Sequence, residues 1–265
     1  MMKFSLNQIL FPNSSLDYFL NFSNDLKVNA IEIRNDIKTN LIKENDPSKL
    51  KNKCGEKSLK ILSINALQKF NIWNKDRSDE LIKLCKFADQ ADIWGIVLVP
   101  LNDGSVDSPR EQIQLLEDSL SEIIKILDDY KVIGLVEPLG FKQSSLRYKS
   151  MTVKIINNLQ SNKLNIVHDT FHHALANEND FFPSLTGLVH FSGVSNIYKN
   201  IELNDDHRSV VDENDILANL YQIQKLINSN YQGYFSFEPF SNTLIEDKNI
   251  FEITKKNYNF IISSI

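Results

Sequence analysis

Cysteine is nearly absent from this chain. Its 265 residues include only Cys54 and Cys85, too few for a disulfide framework. Both read as free thiols of a reducing compartment. Glycine (8 residues) and proline (7) are also scarce, and they form no linker, repeat or low-complexity tract. Long hydrophobic runs are missing as well. The longest, residues 93–101, is about half of the roughly 20 residues a membrane helix needs. Pro12, Asn13 and Asp17 interrupt the stretch where a signal peptide would carry its apolar segment. The expectation is a cytoplasmic protein with no membrane partner. Positive charge is in deficit: 29 Lys and Arg against 34 Asp and Glu leave −5. That balance weighs against a nucleic-acid partner. The Lys-rich residues 43–60 are broken by acids and read as a solvated helix face and loop.

What is present suffices for a core. The chain is 42% hydrophobic and 24% charged, ordinary for a globular protein. At this length folding buries roughly 70–75% of the unfolded surface, without help from disulfides or a structural metal. We expect one domain over residues 1–265.

Short β-rich runs alternate with helical patterns. The runs lie at residues 3–9, 29–33, 60–65, 93–99, 132–136, 164–168, 187–191 and 233–237. Several are almost continuous in Ile, Leu, Val or Phe, as for parallel strands covered on both faces. Between them the 3.6-residue period predicts helices at 16–26 (Ser15 as N-cap), 79–91, 110–130, 146–159, 216–227 and 249–262. The apolar stripe of the third is Ile113, Leu116, Leu120, Ile123, Ile124 and Leu127. Eight units of about 33 residues predict an α/β fold, a closed (β/α)8 TIM barrel. An open doubly wound sheet would want a Gly-rich loop after the first strand, where Phe11-Pro-Asn-Ser-Ser stands instead. Residues 192–214 form a connection long enough to be a binding loop or lid, and 102–109 form a shorter candidate.

In such a barrel the chemistry sits at the C-terminal strand ends. Runs five to eight end at Glu137, Asp169, His190 and Glu238. Charged and imidazole groups ending apolar strands need partners. Three carboxylates and one imidazole suit one divalent ion, Mn²⁺, Mg²⁺ or Co²⁺, with Zn²⁺ compatible. All five histidines (168, 172, 173, 190 and 207) fall within one 40-residue window. His168 points away from Asp169 by strand alternation, and His173 reads as a bystander to His172. The aromatic residues are mainly packing, but Trp73, in the loop after the third run, could wall a pocket.

These residues carry a resemblance. Glu137-Pro, Asp169-Thr-Phe-His172-His173, His190-Phe-Ser-Gly-Val and Ser-Phe-Glu238-Pro-Phe resemble the xylose isomerase-like sugar isomerase and epimerase superfamily. Ala30-Ile-Glu-Ile-Arg34-Asn-Asp36 and Asp205-Asp206-His207-Arg208 resemble its inosose isomerase-like branch. The likeness runs from Asn7 to Ser241. It implies that Glu137, Asp169, His190 and Glu238 bind one divalent metal and that Glu137 and Glu238 double as acid/base residues. It implies substrate contacts from His172 and Arg208, with Arg34, Asn35 and Glu32 as weaker additions; Glu32 reads equally as a buried structural charge. The expected activity is isomerisation or epimerisation of a sugar or cyclitol ketone through an enediolate held at the metal. Schiff-base chemistry has no lysine at a strand end. A dehydratase acting on an inosose or dehydroshikimate shares the first proton abstraction. Apurinic-site endonucleases share the barrel but need about three zinc ions, more ligands than are counted here, and a basic surface. A non-catalytic barrel is the remaining alternative. A homodimer is compatible with the sequence.

Overall fold

The structure is a computed structural model and describes residues 2–265. Its elements are β1 (Lys3–Asn7), α1 (Leu16–Asp25), β2 (Ala30–Arg34), α2 (Leu41–Glu44), α3 (Pro47–Glu56), β3 (Lys60–Gln68), α4 (Lys75–Ala91), β4 (Gly95–Val99) and α5 (Pro109–Leu127). They continue with β5 (Ile133–Val136), α6 (Lys149–Leu159), β6 (Leu164–Asp169), α7 (Thr170–Ala176), β7 (Thr186–Phe191), α8 (Asn219–Asn228), β8 (Tyr234–Phe237), α9 (Asn242–Ile245) and α10 (Ile250–Ser264). The strands close in chain order into an eight-stranded parallel barrel, with β8 pairing back onto β1. This is the expected (β/α)8 architecture.

Local chemistry explains the helix starts. Ser15 accepts from the Tyr18 N–H at α1. Asp46 accepts from Ser48 and Lys49 N–H at α3, whose first turn holds Pro47. Asn74 accepts from the Arg77 N–H at α4. Each such cap satisfies a donor that the helix itself leaves unpaired. Helix α5 buries Leu116, Leu120, Ile123 and Leu127 against the barrel, each worth roughly 1.5–3 kcal/mol of burial. Ile113, expected on the same stripe, is exposed.

Two layers of core follow from the period-two alternation of the strands. Outward residues join the helices in one large cluster. Inside the barrel, Ala30, Leu62, Ala66, Val97, Leu135, Val167 and Leu188 form a second, smaller cluster. Towards the C-terminal strand ends the apolar filling gives way to the polar groups of the mouth.

Several boundaries differ from expectation. β3 runs on to Gln68, and the helices near 146 and 216 begin only at Lys149 and Asn219. α7 was not expected because seven residues, Thr-Phe-His-His-Ala-Leu-Ala, are too few to display a period. Residues 192–214 are tied down. Gly193 and Ser209 exchange both backbone hydrogen bonds, at 2.8 and 2.7 Å, and Ser195 bridges Asp215. A Cβ on Gly193 would lie 2.0 Å from the Val210 carbonyl oxygen, so only glycine permits this approach. Among the described residues no helix is long and apolar enough to cross a membrane.

Candidate metal centre

The strands carry the four expected residues to one place. Asp169 ends β6 and also caps α7, its Oδ1 accepting from Phe171 N–H (2.7 Å) and His172 N–H (3.0 Å). One oxygen is thus spent on the backbone and Oδ2 is left for the centre. His190 is the register partner of Asp169 on β7. Glu137 and Glu238 follow β5 and β8, anchored by backbone bonds to Leu98 and Phe191 at 3.0 Å each. One donor atom from each of Glu137, Asp169, His190 and Glu238 lies within 4.8 Å of the others, and all four side chains are buried.

The imidazole is held from both sides. His190 Nδ1 is 2.8 Å from Glu137 Oε1 and 3.2 Å from Glu238 Oε2. Its Nε2 is 3.0 Å from Glu32 Oε2. Glu32 itself accepts from Ser63 Oγ at 2.5 Å, Asn65 Nδ2 at 2.9 Å and Asn7 Nδ2 at 3.3 Å. The guanidinium groups press on the same carboxylates. Arg208 Nη2 lies 2.6 Å from Asp169 Oδ2 and 3.0 Å from Glu238 Oε2. Arg34 Nη1 lies 2.8 Å from Glu238 Oε1.

These contacts set the protonation tendencies. Burial disfavours a charged His190, yet Glu238, Glu32 and Glu137 together hold it well above the ordinary imidazole range. Burial raises Glu137, the charges of Glu238 and Asp169 add to that, and His190 opposes it. Burial would raise Glu238 as well, but His190, Arg208 and Arg34 bring it far below the usual carboxylate range. Glu32, Glu137, Asp169 and Glu238 oppose Arg34 and Arg208, so four buried carboxylates meet two guanidinium groups. A divalent cation matches that deficit, and three carboxylates with one imidazole form an oxygen-rich donor set for Mn²⁺, Mg²⁺, Co²⁺ or Zn²⁺. With Nε2–H donated to Glu32, Nδ1 is the nitrogen facing the carboxylates. The residues fit the ion.

A cavity of about 460 Å³ opens over the cluster. Arg34, Glu137, His172, Arg208 and Glu238 line it. His172 Nδ1 is buried without a hydrogen-bond partner, its ring set edge-on to Phe141 at 5.1 Å. Helix α7 carries this histidine so close to the loop after β5 that a Cβ on Gly140 would stand 2.1 Å from the His172 carbonyl oxygen. Arg208, expected to hold substrate oxygens, lines this cavity and is almost fully buried, its guanidinium meeting Asp169, Glu238, Asp205 and Ser192. Trp73 stands apart from this lining. It is not among the residues lining this cavity but packs, half-buried, against the main core. Phe141 and Phe240 are the aromatic residues of the cavity wall. A larger cavity of about 790 Å³ lies at the other end of the barrel, by Lys60, Thr186 and Tyr234, and holds none of the four cluster residues.

His168 and His173 face away from the mouth. Lys149 Nζ lies 2.9 Å from His168 Nδ1 and 2.8 Å from His173 Nδ1, and His168 Nε2 is 3.0 Å from Gln222 Oε1. Sequence reasoning gave no site role to Asn7, Ser63 or Lys149. Asn7 ends β1 and was open to the strand-end rule; Ser63 and Lys149 left no such signal.

The family model for the xylose isomerase-like TIM barrel matches residues 20–261. A xylose isomerase domain-containing protein from Salmonella typhimurium LT2 is 29% identical, with a TM-score of 0.89 over 98% of this chain and 97% of that one. The IolI protein, solved with a bound zinc atom, is 20% identical with a TM-score of 0.86, over 99% of this chain and 98% of that one. D-psicose 3-epimerase from Clostridium cellulolyticum H10, solved with D-tagatose, shares the fold at 13% identity and a TM-score of 0.74, over 99% of both chains. No curated protein matches the chain. With a model matched over almost its whole length and the barrel closed as described, the chain belongs to the xylose isomerase-like TIM barrel family.

Proposed function

We propose that this protein is a divalent-metal-dependent isomerase or epimerase acting on a sugar or polyol ketone by proton transfer at the carbon beside the carbonyl. The supporting observation is the single cluster of Glu137, Asp169, His190 and Glu238 under the cavity at the barrel mouth. A divalent ion held there would polarise a substrate carbonyl and its neighbouring hydroxyl and acidify the C–H between them.

The chain's own groups divide the remaining work. Glu137 has only His190 as a side-chain hydrogen-bond partner, so its carboxylate is free to take the proton. Glu238 is engaged by Arg34, Arg208 and Asn7, which hold it anionic and fixed in position. In isomerisation Glu137 returns its proton to the adjacent carbon. In epimerisation the anionic Glu238 takes the proton on one face and Glu137, whose proton affinity burial raises, delivers one to the other. Asp169 and His190 complete the metal ligands, and His172 meets a substrate hydroxyl. Proton transfer by such groups contributes about 10²–10⁴-fold.

Turnover in deuterium oxide tests the reading. Label should enter the carbon α to the carbonyl at a rate comparable to turnover, and its absence would discard the scheme. NMR of the product separates the outcomes. A rearranged or epimerised ketone supports an isomerase or epimerase, whereas loss of a β-hydroxyl would identify a dehydratase that begins with the same abstraction.

A further inference from the structure

We propose that the cavity at the N-terminal end of the barrel is a second small-molecule site, separate from the mouth. Its ligand is a planar aromatic acid, a flat apolar body carrying one carboxylate.

The cavity measures about 790 Å³, within the roughly 300–1,000 Å³ of small-molecule sites. Its floor is apolar. Ile61 and Leu62 are buried there, and Tyr234 packs on the inner barrel cluster. Trp94 borders the opening with 38% of its surface exposed. A Cβ on Gly187 would stand 3.0 Å from Cη2 of that indole and 2.8 Å from Leu135 Cδ2, so bare β7 backbone lets the ring come this close to the strand. Two aromatic side chains at one apolar cavity offer ring faces and edges on which a flat ligand stacks.

Gly55 marks the opening on the α3 side. Glycine inside a helix is destabilising relative to alanine. The backbone does not require it, because the left-handed residue that turns the chain after α3 is Ser58, at φ 55°. Packing does not require it either: a Cβ on Gly55 would meet no atom within 4 Å. Gly233, in the same wall, is the contrast, since a Cβ there would stand 2.2 Å from the Tyr231 hydroxyl. Helix preference is thus given up at a point where a side chain would extend from the wall of the cavity, and such local departures mark functional sites.

The charge of the rim selects an anion. Asp92 is the one carboxylate of the lining among the described residues, and Lys51 already meets it at 3.4 Å. Lys60, at the start of β3, forms no ion pair among the described residues. Its ammonium and the Trp94 N–H are donors with no hydrogen-bond partner in the chain. A carboxylate is the complementary group.

Calorimetric titration of naphthoate into the Mn²⁺-loaded protein, beside its uncharged amide, naphthamide, tests the site. Naphthoate should bind with one-to-one stoichiometry and about fivefold tighter than the amide. Lys60→Met should erase that difference by weakening the acid alone. Gly55→Leu should weaken both ligands about tenfold by occupying the opening, while Gly55→Ala should raise the urea midpoint. Failure of naphthoate to bind at millimolar concentration overturns the proposal. So does an amide bound as tightly as the acid. Binding indifferent to Gly55→Leu would place the ligand elsewhere, the metal at the mouth included, and overturns it too. A lower urea midpoint for Gly55→Ala would show that the fold itself needs the glycine and remove the argument for a built opening.

Discussion

Glu32 and His190 face each other inside the barrel, Oε2 to Nε2 at 3.0 Å, with neither side chain exposed to solvent. Glu32 stands behind His190, outside the four-residue cluster to which the imidazole belongs. A carboxylate behind a ligating imidazole fixes its tautomer and orientation and raises its basicity. Replacing Glu32 with Leu should therefore weaken Mn²⁺ or Zn²⁺ binding about 10–100-fold, while Glu32→Gln, which keeps an acceptor for Nε2–H, should lose less. Metal titration followed by calorimetry decides it. Equal affinity in the wild type and the Leu variant would remove Glu32 from this role.

Glu137 and Glu238 should differ when changed. Glu137→Gln should lower kcat about 10²–10⁴-fold with little loss of stability. Glu238→Gln should lower kcat as well, but it also leaves Arg34 and Arg208 without the charge they share. Breaking a buried pair on one side costs about 3–5 kcal/mol. Urea unfolding beside steady-state kinetics distinguishes the two. Equal stabilities for both variants would contradict the asymmetry.

Gly140 sets the seating of α7. A methyl group there would collide with the His172 carbonyl oxygen 2.1 Å away and the Ala176 nitrogen 2.9 Å away, both backbone atoms that cannot swing aside. Gly140→Ala should destabilise the fold by about 1–3 kcal/mol. By displacing His172 it should also raise KM more than it lowers kcat. A variant with unchanged urea midpoint and KM would show the contact to be soft.

The cluster behind β6 predicts a pH dependence. Burial lowers Lys149 to about 8, and burial, followed by the Lys149 charge, lowers His173 to about 3. Both groups bind protons more readily unfolded than folded, so stability should rise with pH wherever the unfolded chain is protonated and the fold is not. For His173 that window runs from about pH 3 to its ordinary value near 6.5. For Lys149 it runs from about 8 to its ordinary value near 10.5. His173→Phe should flatten the acid limb and Lys149→Met the alkaline one, read as urea midpoints against pH. Limbs identical to the wild type would place the dependence elsewhere.

The barrel and four of its mouth residues were legible along the chain for a local reason. A strand reveals itself by composition, and in a parallel barrel the residue ending it stands at the mouth whatever the helices between do. Glu137, Asp169, His190 and Glu238 were therefore readable as strand ends, just as His168 was readable as facing away. The partners of those residues were not, because 158 positions separate Glu32 from His190 and nothing in either neighbourhood announces the meeting. That Trp73 packs against the main core was not legible either, because the packing of a loop is decided by residues distant in the chain. That the Arg208 guanidinium meets Asp169 and Glu238 was likewise not legible, because a run of residues cannot show which distant charges it will face. Periodicity and strand ends are properties of neighbours in the chain, whereas ion pairing and cavity walls depend on closure of the barrel, which brings distant residues within hydrogen-bonding distance.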